Sequence, residues 1–393
     1  MNEILNRRPP PPVPVTILTG FLGSGKTTLL NRLLADPALA ETVVLINEFG
    51  EVGLDHLFVE KIDGDMIMMA SGCLCCTIRG DLVNALEDLL RRLDNGKIKP
   101  FRRVVIETTG LADPAPILNA LMGHPYLALR YKLDGVVTTL DAVNGLASIE
   151  RHREALRQVA VADRIVLTKT EMPEAAPHAG ALARRLDALN PGAPRLETAA
   201  GAATAQAVFS AGLFSADRKI PDVAAWLRAE AFETHDHAHG DHGHGHHGHG
   251  DHGHGHHHGH AHDPNRHDAA IRAFCLTHEA PLDPRAFQIF LDLLRHAHGP
   301  KLLRVKGIAA LADDPGRPVI IHGVQHLFHP AVRLAGWPDS DQRTRIVLIV
   351  DGLAQEFVER LFAAAIGQAR TDTPDQTALT ASPLDLRPGG LLA

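Results

Sequence analysis

The sequence predicts an α/β protein with a mostly parallel sheet, followed by a smaller α+β domain. Three observations carry this. Short apolar runs alternate with stretches of helical periodicity from residue 13 to about residue 189, the order of a parallel sheet covered on both faces. A strand, a glycine-rich turn and a helix open that series. A stretch at 235–262 built only of 15 histidines, eight glycines, three aspartates and two alanines then ends it. The length of 393 residues agrees, since domains run to roughly 100–200 residues each.

Each element has its own signal. The prolines at 9–12 form a stiff, solvated lead-in that cannot join a sheet. Val13 to Leu18 reads as a buried strand, and Lys26 to Leu34 as a helix. Val43 to Ile46 and Met66 to Ala70 are the next strands. Apolar residues at Ile78, Leu82, Ala85, Leu86, Leu89, Leu90 and Leu93 recur at helical spacing. Strands follow at Val104 to Ile106, Gly135 to Leu140, Arg164 to Leu167 and, briefly, 195–197. Helices fall at 114–122, 145–161 and 174–189. The His-Gly tract has nothing to bury and reads as a disordered linker. Beyond it come strands at Ala270 to Leu276, Leu302 to Ile308, Val319 to Gly323 and Thr344 to Val350, with helices at Pro284 to Leu294 and 353–366. The division predicted is a flexible tail at 1–12, an α/β domain at 13–230, a linker at 231–267, an α+β domain at 268–370 and a flexible tail at 371–393.

Composition narrows the function. Net charge is −7 and aromatics are only 4%; no basic block or stacking platform marks a nucleic-acid partner. No run approaches the roughly 20 apolar residues of a membrane helix. MNEILNRRPPPPVP lacks the apolar core of a signal peptide, so a cytoplasmic location is expected. Three of the four cysteines lie within four residues. In a reducing compartment such a cluster binds metal or does redox chemistry.

Gly20-Phe-Leu-Gly23-Ser24-Gly25-Lys26-Thr27-Thr28 fits GxxxxGK[ST], between a predicted strand and a predicted helix, the context that gives the match weight. Glycines let backbone N–H groups wrap phosphates at the positive end of the helix. Lys26 would reach the β- and γ-phosphates and Thr27 would bind Mg²⁺. The chain therefore reads as a P-loop NTPase. Glu107-Thr108-Thr109-Gly110 ends the strand beside it. Glu107 can hold Mg²⁺ through water, and Gly110 lets backbone approach the γ-phosphate. A solvated strand-end glutamate is the plainer alternative. The loop Asn47-Glu48-Phe49-Gly50-Glu51, with Asp55, sits where a nucleotide-sensing segment belongs.

Thr168-Lys169-Thr170-Glu171 follows a buried strand. There Glu171 would pair with the guanine N1–H and 2-amino group, and Lys169 would pack over the base. Thr198-Ala199 suits the next base-touching loop. A strand followed by a helix N-cap explains the same residues, and both readings stand at this point. Cys73-Leu74-Cys75-Cys76 suits tetrahedral zinc or another soft-ligand metal, with Glu48, Glu51 or a histidine as fourth ligand. The histidine tract would bind divalent ions weakly and unselectively, or serve as a spacer. His322, His326 and His329 have near-helical spacing, which surface histidines also produce.

Taken together, these residues resemble the CobW-like metallochaperone GTPases, a branch of the P-loop GTPases with nickel-insertion relatives. The matching segments are TGFLGSGKTTLLN (19–31), NEFGEVGLD (47–55), SGCLCC (71–76), IETTGLADP (106–114) and the 168–171 loop. VKGI (305–308), VIIHGVQHLFH (319–329) and TRIVLIVDG (344–352) resemble that family's C-terminal domain. The resemblance implies GTP hydrolysis coupled to zinc or cobalt binding at CxCC and delivery to a client metalloprotein. It leaves a homodimer open. Thr168 and Glu171 depart from the commoner Asn and Asp of the base-reading loop. Two other classes of function compete: a histidine-rich metal buffer, and an ATP-dependent small-molecule kinase sharing the P-loop.

Overall fold

β1 (Val13–Thr19) lies inside a sheet of eight strands. The others are β2 (Thr42–Asn47), β3 (Val59–Ile62), β4 (Met66–Ser71), β5 (Arg103–Glu107), β6 (Tyr131–Asp141), β7 (Arg164–Thr168) and β8 (Arg195–Glu197), in the spatial order β3-β4-β2-β5-β1-β6-β7-β8. Only β3 runs antiparallel, against β4; every other pairing is parallel. The computed structural model describes residues 11–47, 59–62, 66–71, 78–209 and 271–368. Cys73, Cys75, Cys76, Glu48, Glu51, the histidine tract and the two terminal tails predicted above lie outside the described residues, apart from Pro11 and Pro12.

Period-two alternation sorts each inner strand between two cores. Val15 and Ile17 of β1 and Val104 and Ile106 of β5 face one core, with Leu86, Leu90, Leu118 and Leu156 from the helices. Leu18 and Val105 face the other, with Leu29, Leu30 and Leu33 of α1 (Lys26–Leu34) and Phe209 of α8 (Ala205–Phe209). The remaining helices are α2 (Ile78–Asp94), α3 (Ala115–Gly123), α4 (Pro125–Arg130), α5 (Gly145–Arg151), α6 (Arg153–Val161) and α7 (Ala179–Leu189).

The second sheet is antiparallel. β9 (Ile271–His278), β10 (Leu302–Ala309), β11 (Val319–Val324), β12 (Leu327–Phe328) and β14 (Thr344–Asp351) take the order β12-β11-β10-β14-β9, and β13 (Val332–Arg333) pairs with β11. One face holds α9 (Pro284–His298) and α10 (Gln355–Ala365), whose Phe290 and Phe362 meet edge to face at 5.0 Å. From the opposite face Ile271, Leu303, Val324 and Ile349 join the core of the first domain. Coverage on both sides is why all eight residues of β14 are buried.

The structure differs from the sequence expectation at several points. The helix expected at 145–161 is two helices, broken at His152, whose backbone is extended (φ −124, ψ 115). The helix expected from 174 begins at Ala179, because Pro177 holds the preceding turn in a 3₁₀ form. β6 begins four residues before Gly135, paired with β1 through a register shift after Val15. β3, α4, β12 and β13 are short elements with no periodicity to announce them. No helix among the described residues is long and apolar enough to cross a membrane.

Candidate functional site

The turn after β1 sits at the carboxyl edge of the sheet, where open α/β sheets bind ligands. Gly20 is buried there. A Cβ on it would lie 2.3 Å from Thr139 Oγ1 and 2.4 Å from the Thr139 carbonyl oxygen, so only glycine fits. Gly23 and Gly25 have φ of 71 and 85. Gly25 is the N-cap of α1 in the left-handed region, which turns backbone N–H groups toward the loop's interior. Ser24 Oγ and Thr139 Oγ1 are 2.7 Å apart and buried, pinning the loop to the end of β6. The Lys26 ammonium donates to the carbonyls of Gly20 (2.9 Å) and Phe21 (3.2 Å), across the loop. Thr28 follows Thr27 in the first turn of α1 and is exposed.

Thr27 Oγ1 donates to Glu107 Oε1 at 2.5 Å. A hydroxyl and a carboxylate together at the mouth of a phosphate-binding loop are the oxygen donors a hard cation such as Mg²⁺ takes. Next to them, Thr108 Oγ1 donates to Thr19 Oγ1 at 2.8 Å, and Thr109 Oγ1 is buried without a hydrogen-bond partner among the described residues. Gly110 packs directly against the P-loop: a Cβ there would lie 2.6 Å from the Leu22 nitrogen and 2.8 Å from its Cα. Its smallness thus serves contact between two loops of the chain, a role the sequence did not suggest. These residues fit a Mg²⁺-nucleotide: a cradle only glycine can form, an oxygen donor pair, and a buried hydroxyl with no partner among the described residues.

The 168–171 loop is tied to the same place. Thr168 Oγ1 donates to the Ser24 carbonyl (2.8 Å) and more weakly to that of Leu140 (3.3 Å). Lys169 holds a left-handed φ of 59, uncommon for a long side chain, and its ammonium pairs with Asp141 Oδ2 at 2.7 Å. Burial pushes the Asp141 carboxyl up, yet donation from Lys169, Val143 and Asn144 outweighs it and leaves the group below its usual range. Glu171 is exposed, and the Thr198 carbonyl accepts from Arg32.

The structure therefore brings Gly20, Gly23, Ser24, Gly25, Lys26, Thr27, Glu107, Gly110, Thr168 and Lys169 to one edge of the sheet, with Glu171 at its rim. Sequence reasoning missed Thr139 and Asp141, which close the site from β6. Their position at a strand end beside β1 was the available signal. Among the described residues no three His, Cys, Asp or Glu side chains converge as a metal site.

Fold and site define a P-loop nucleotide-binding protein. The model of the CobW/HypB/UreG nucleotide-binding domain matches residues 14–197, and that of the cobalamin synthesis protein CobW C-terminal domain matches 271–366. The chain belongs to this CobW family. It is 31% identical over 352 residues to the zinc chaperone YjiA of Escherichia coli, covering 90% of this chain and 98% of that one. It is 37% identical over 169 residues to the zinc-regulated GTPase metalloprotein activator 1 of Schizosaccharomyces pombe, covering 41% and 40%. The crystal structure of Zn(II)-bound YjiA GTPase from E. coli superposes with a TM-score of 0.62 at 29% identity, covering 90% of this chain and 99% of that one.

Proposed function

We propose that this chain is a GTP-hydrolysing metallochaperone that binds a divalent metal at Cys73, Cys75 and Cys76 and delivers it to a client metalloprotein. Zinc is the favoured cargo, since YjiA, which matches this chain along most of its length, is named a zinc chaperone; cobalt is the second choice. Glu48, Glu51 or a histidine completes the thiolate site. The GTPase domain spans 13–230 and the C-terminal domain 268–370. The observation that carries the nucleotide half is the Thr27–Glu107 pair at the mouth of a glycine cradle.

Phosphoryl transfer needs positioning and charge neutralisation rather than a covalent group. Backbone N–H groups from Gly23 to Thr28 hold the phosphates, and the Lys26 ammonium exchanges loop carbonyls for phosphate oxygens. Mg²⁺, held by Thr27 and, through water, by Glu107, would neutralise charge developing between the β- and γ-phosphates. Thr109 and Gly110, beside the P-loop, would face the terminal phosphate. The guanine base rests on the stem of Lys169, held down by Asp141, with Glu171 as acceptor for its N1–H and 2-amino group. Contacts to the terminal phosphate reset the neighbouring loop, so nucleotide and metal change each other's affinity by one common factor.

The test is hydrolysis of GTP against ATP with each metal, for the chain and for Lys26→Ala. Removing that cation should lower kcat/KM for GTP by about 100-fold or more and abolish client loading. A metal buffer would keep its effect, and a kinase would use ATP as readily as GTP. Equal zinc affinities with and without a non-hydrolysable GTP analogue would sink the chaperone coupling.

A further inference from the structure

α6 touches both halves of the molecule. At its N-cap the His152 ring stacks on Phe21 of the P-loop, centroids 4.5 Å apart and planes 24° from parallel. In its middle, Gln158 is fully buried and gives both of its amide contacts to one loop, donating from Nε2 to the carbonyls of Gly110 (3.1 Å) and Ala112 (3.0 Å). Arg157 donates to Asp113 in that same loop at 2.9 Å. This is the loop that follows Glu107 and packs on Leu22.

The other flank of the helix faces the C-terminal domain. Arg157 Nη2 and Arg153 Nη2 converge on Asp351 Oδ2 at 2.9 and 2.7 Å. Asp351 is the last residue of β14 and is buried. Just past the helix, Asp163 receives Arg304 and Lys306 of β10. Arg157 thus bridges two carboxylates with its two terminal nitrogens, one in the nucleotide domain and one in the C-terminal sheet. A planar guanidinium can do this; a lysine ammonium cannot span both with fixed geometry.

We propose that Arg157 and Gln158 are positioning residues for nucleotide hydrolysis, and that the Arg157–Asp351 pair makes the position of the 108–113 loop depend on how the C-terminal domain docks. Loops facing a terminal phosphate rearrange when it is lost. A loop clamped by Gln158 and Arg157 passes that change to α6, and α6 passes it to β14. Linkage makes the traffic two-way: docking of the domain favours one nucleotide state by the factor with which that state favours docking. The inference rests on the nucleotide reading given above.

The test uses the full chain and Asp351→Asn, a substitution remote from the phosphate loop. Hydrogen exchange over residues 344–351 is compared with GDP and with a non-hydrolysable GTP analogue, alongside steady-state hydrolysis. The wild-type chain should exchange more slowly there with the GTP analogue. D351N should erase that difference and lower kcat about fivefold, with KM changed less than about twofold. Arg157→Lys should give an intermediate loss in both readouts, and it carries the test if D351N does not fold. Identical exchange in the two nucleotide states of the wild type, or unchanged kcat in the variants, overturns the proposal. So does a loss confined to KM, which marks simple loosening. If the chain takes ATP instead of GTP, the guanine reading falls, and the same comparison with ADP and an ATP analogue decides the coupling. A chain that binds neither nucleotide overturns both.

Discussion

Thr168 ties two loops together with its hydroxyl. Its Oγ1 is buried and donates to the Ser24 carbonyl at 2.8 Å, and its methyl side packs 3.5 Å from where a Gly25 Cβ would stand. The sequence marked Thr168 as a departure from the family pattern. The structure places it as a tie between the 168–171 loop and the P-loop. Thr168→Val keeps the shape and leaves the buried Ser24 carbonyl without that donor, a loss of about 1–2 kcal/mol. GDP and GTP affinity should both fall about tenfold, whereas Thr168→Ser should stay within about threefold. Nucleotide titrations of the two variants check this; a valine variant that binds like wild type would remove the tie from the account. The P-loop was legible because its chemistry comes with a fixed spacing, and Glu107 because it ends the predicted strand beside that loop. Thr139, Asp141 and Gln158 were not, because the contact by which each joins the site reaches at least 28 positions along the chain and no local pattern marks it.

Among the elements, long periodic ones were legible and short or broken ones were not. α6 and β14 follow from apolar spacing, but the break at His152 comes from a ring stacked on a different loop, which no local pattern encodes. His322 and His329, whose near-helical spacing surface histidines would also produce, are instead packed inward: His322 lies in β11, the strand expected there, and His329 just after β12, their rings stacked with centroids 5.0 Å apart. They lie beside Asp163, Arg304 and Lys306 at the domain junction. Burial, and then the Arg304 charge, pushes His329 down to about 4 and His322 well below its ordinary value. Burial pushes Asp163 up, but Arg304 and Lys306 outweigh it and keep it ionised. The sign follows directly. An unfolded imidazole titrates near 6.5 and takes its proton before the folded one does, so stability is full above that pH and falls as pH drops toward 4. His329 alone should contribute a loss of about 2 kcal/mol between about pH 7 and pH 5. Urea unfolding across that range should show the decline, and His329→Asn should reduce its slope, leaving the share due to His322. An unchanged slope in the variant would mean that the ring is not held neutral.

At the scale of the whole molecule, two metal-binding features are expected to divide the work. Thiolates are strong zinc ligands, and Cys73, Cys75 and Cys76 are expected to form one tight site. Each ion taken by the tract at 235–262 must order a glycine-rich chain of eight glycines among 15 histidines, and that entropy cost weakens every site there. Imidazoles near their reference pKa of about 6.5 also protonate, so tract binding should fade below about pH 6. The tight site should be the one that answers to nucleotide, since its cysteines follow β4, which lies on the same side of β1 as β5 and β2. Deleting 235–262 should therefore lower total zinc capacity while sparing one tight ion and GTP hydrolysis. Changing the three cysteines to serine should remove the tight ion, and any effect of zinc on hydrolysis, while leaving the weak capacity. Zinc titrations of the two variants, each with and without a GTP analogue, separate these outcomes. If the deletion abolishes the tight ion, the cysteines are not the delivery site and the histidines hold the cargo.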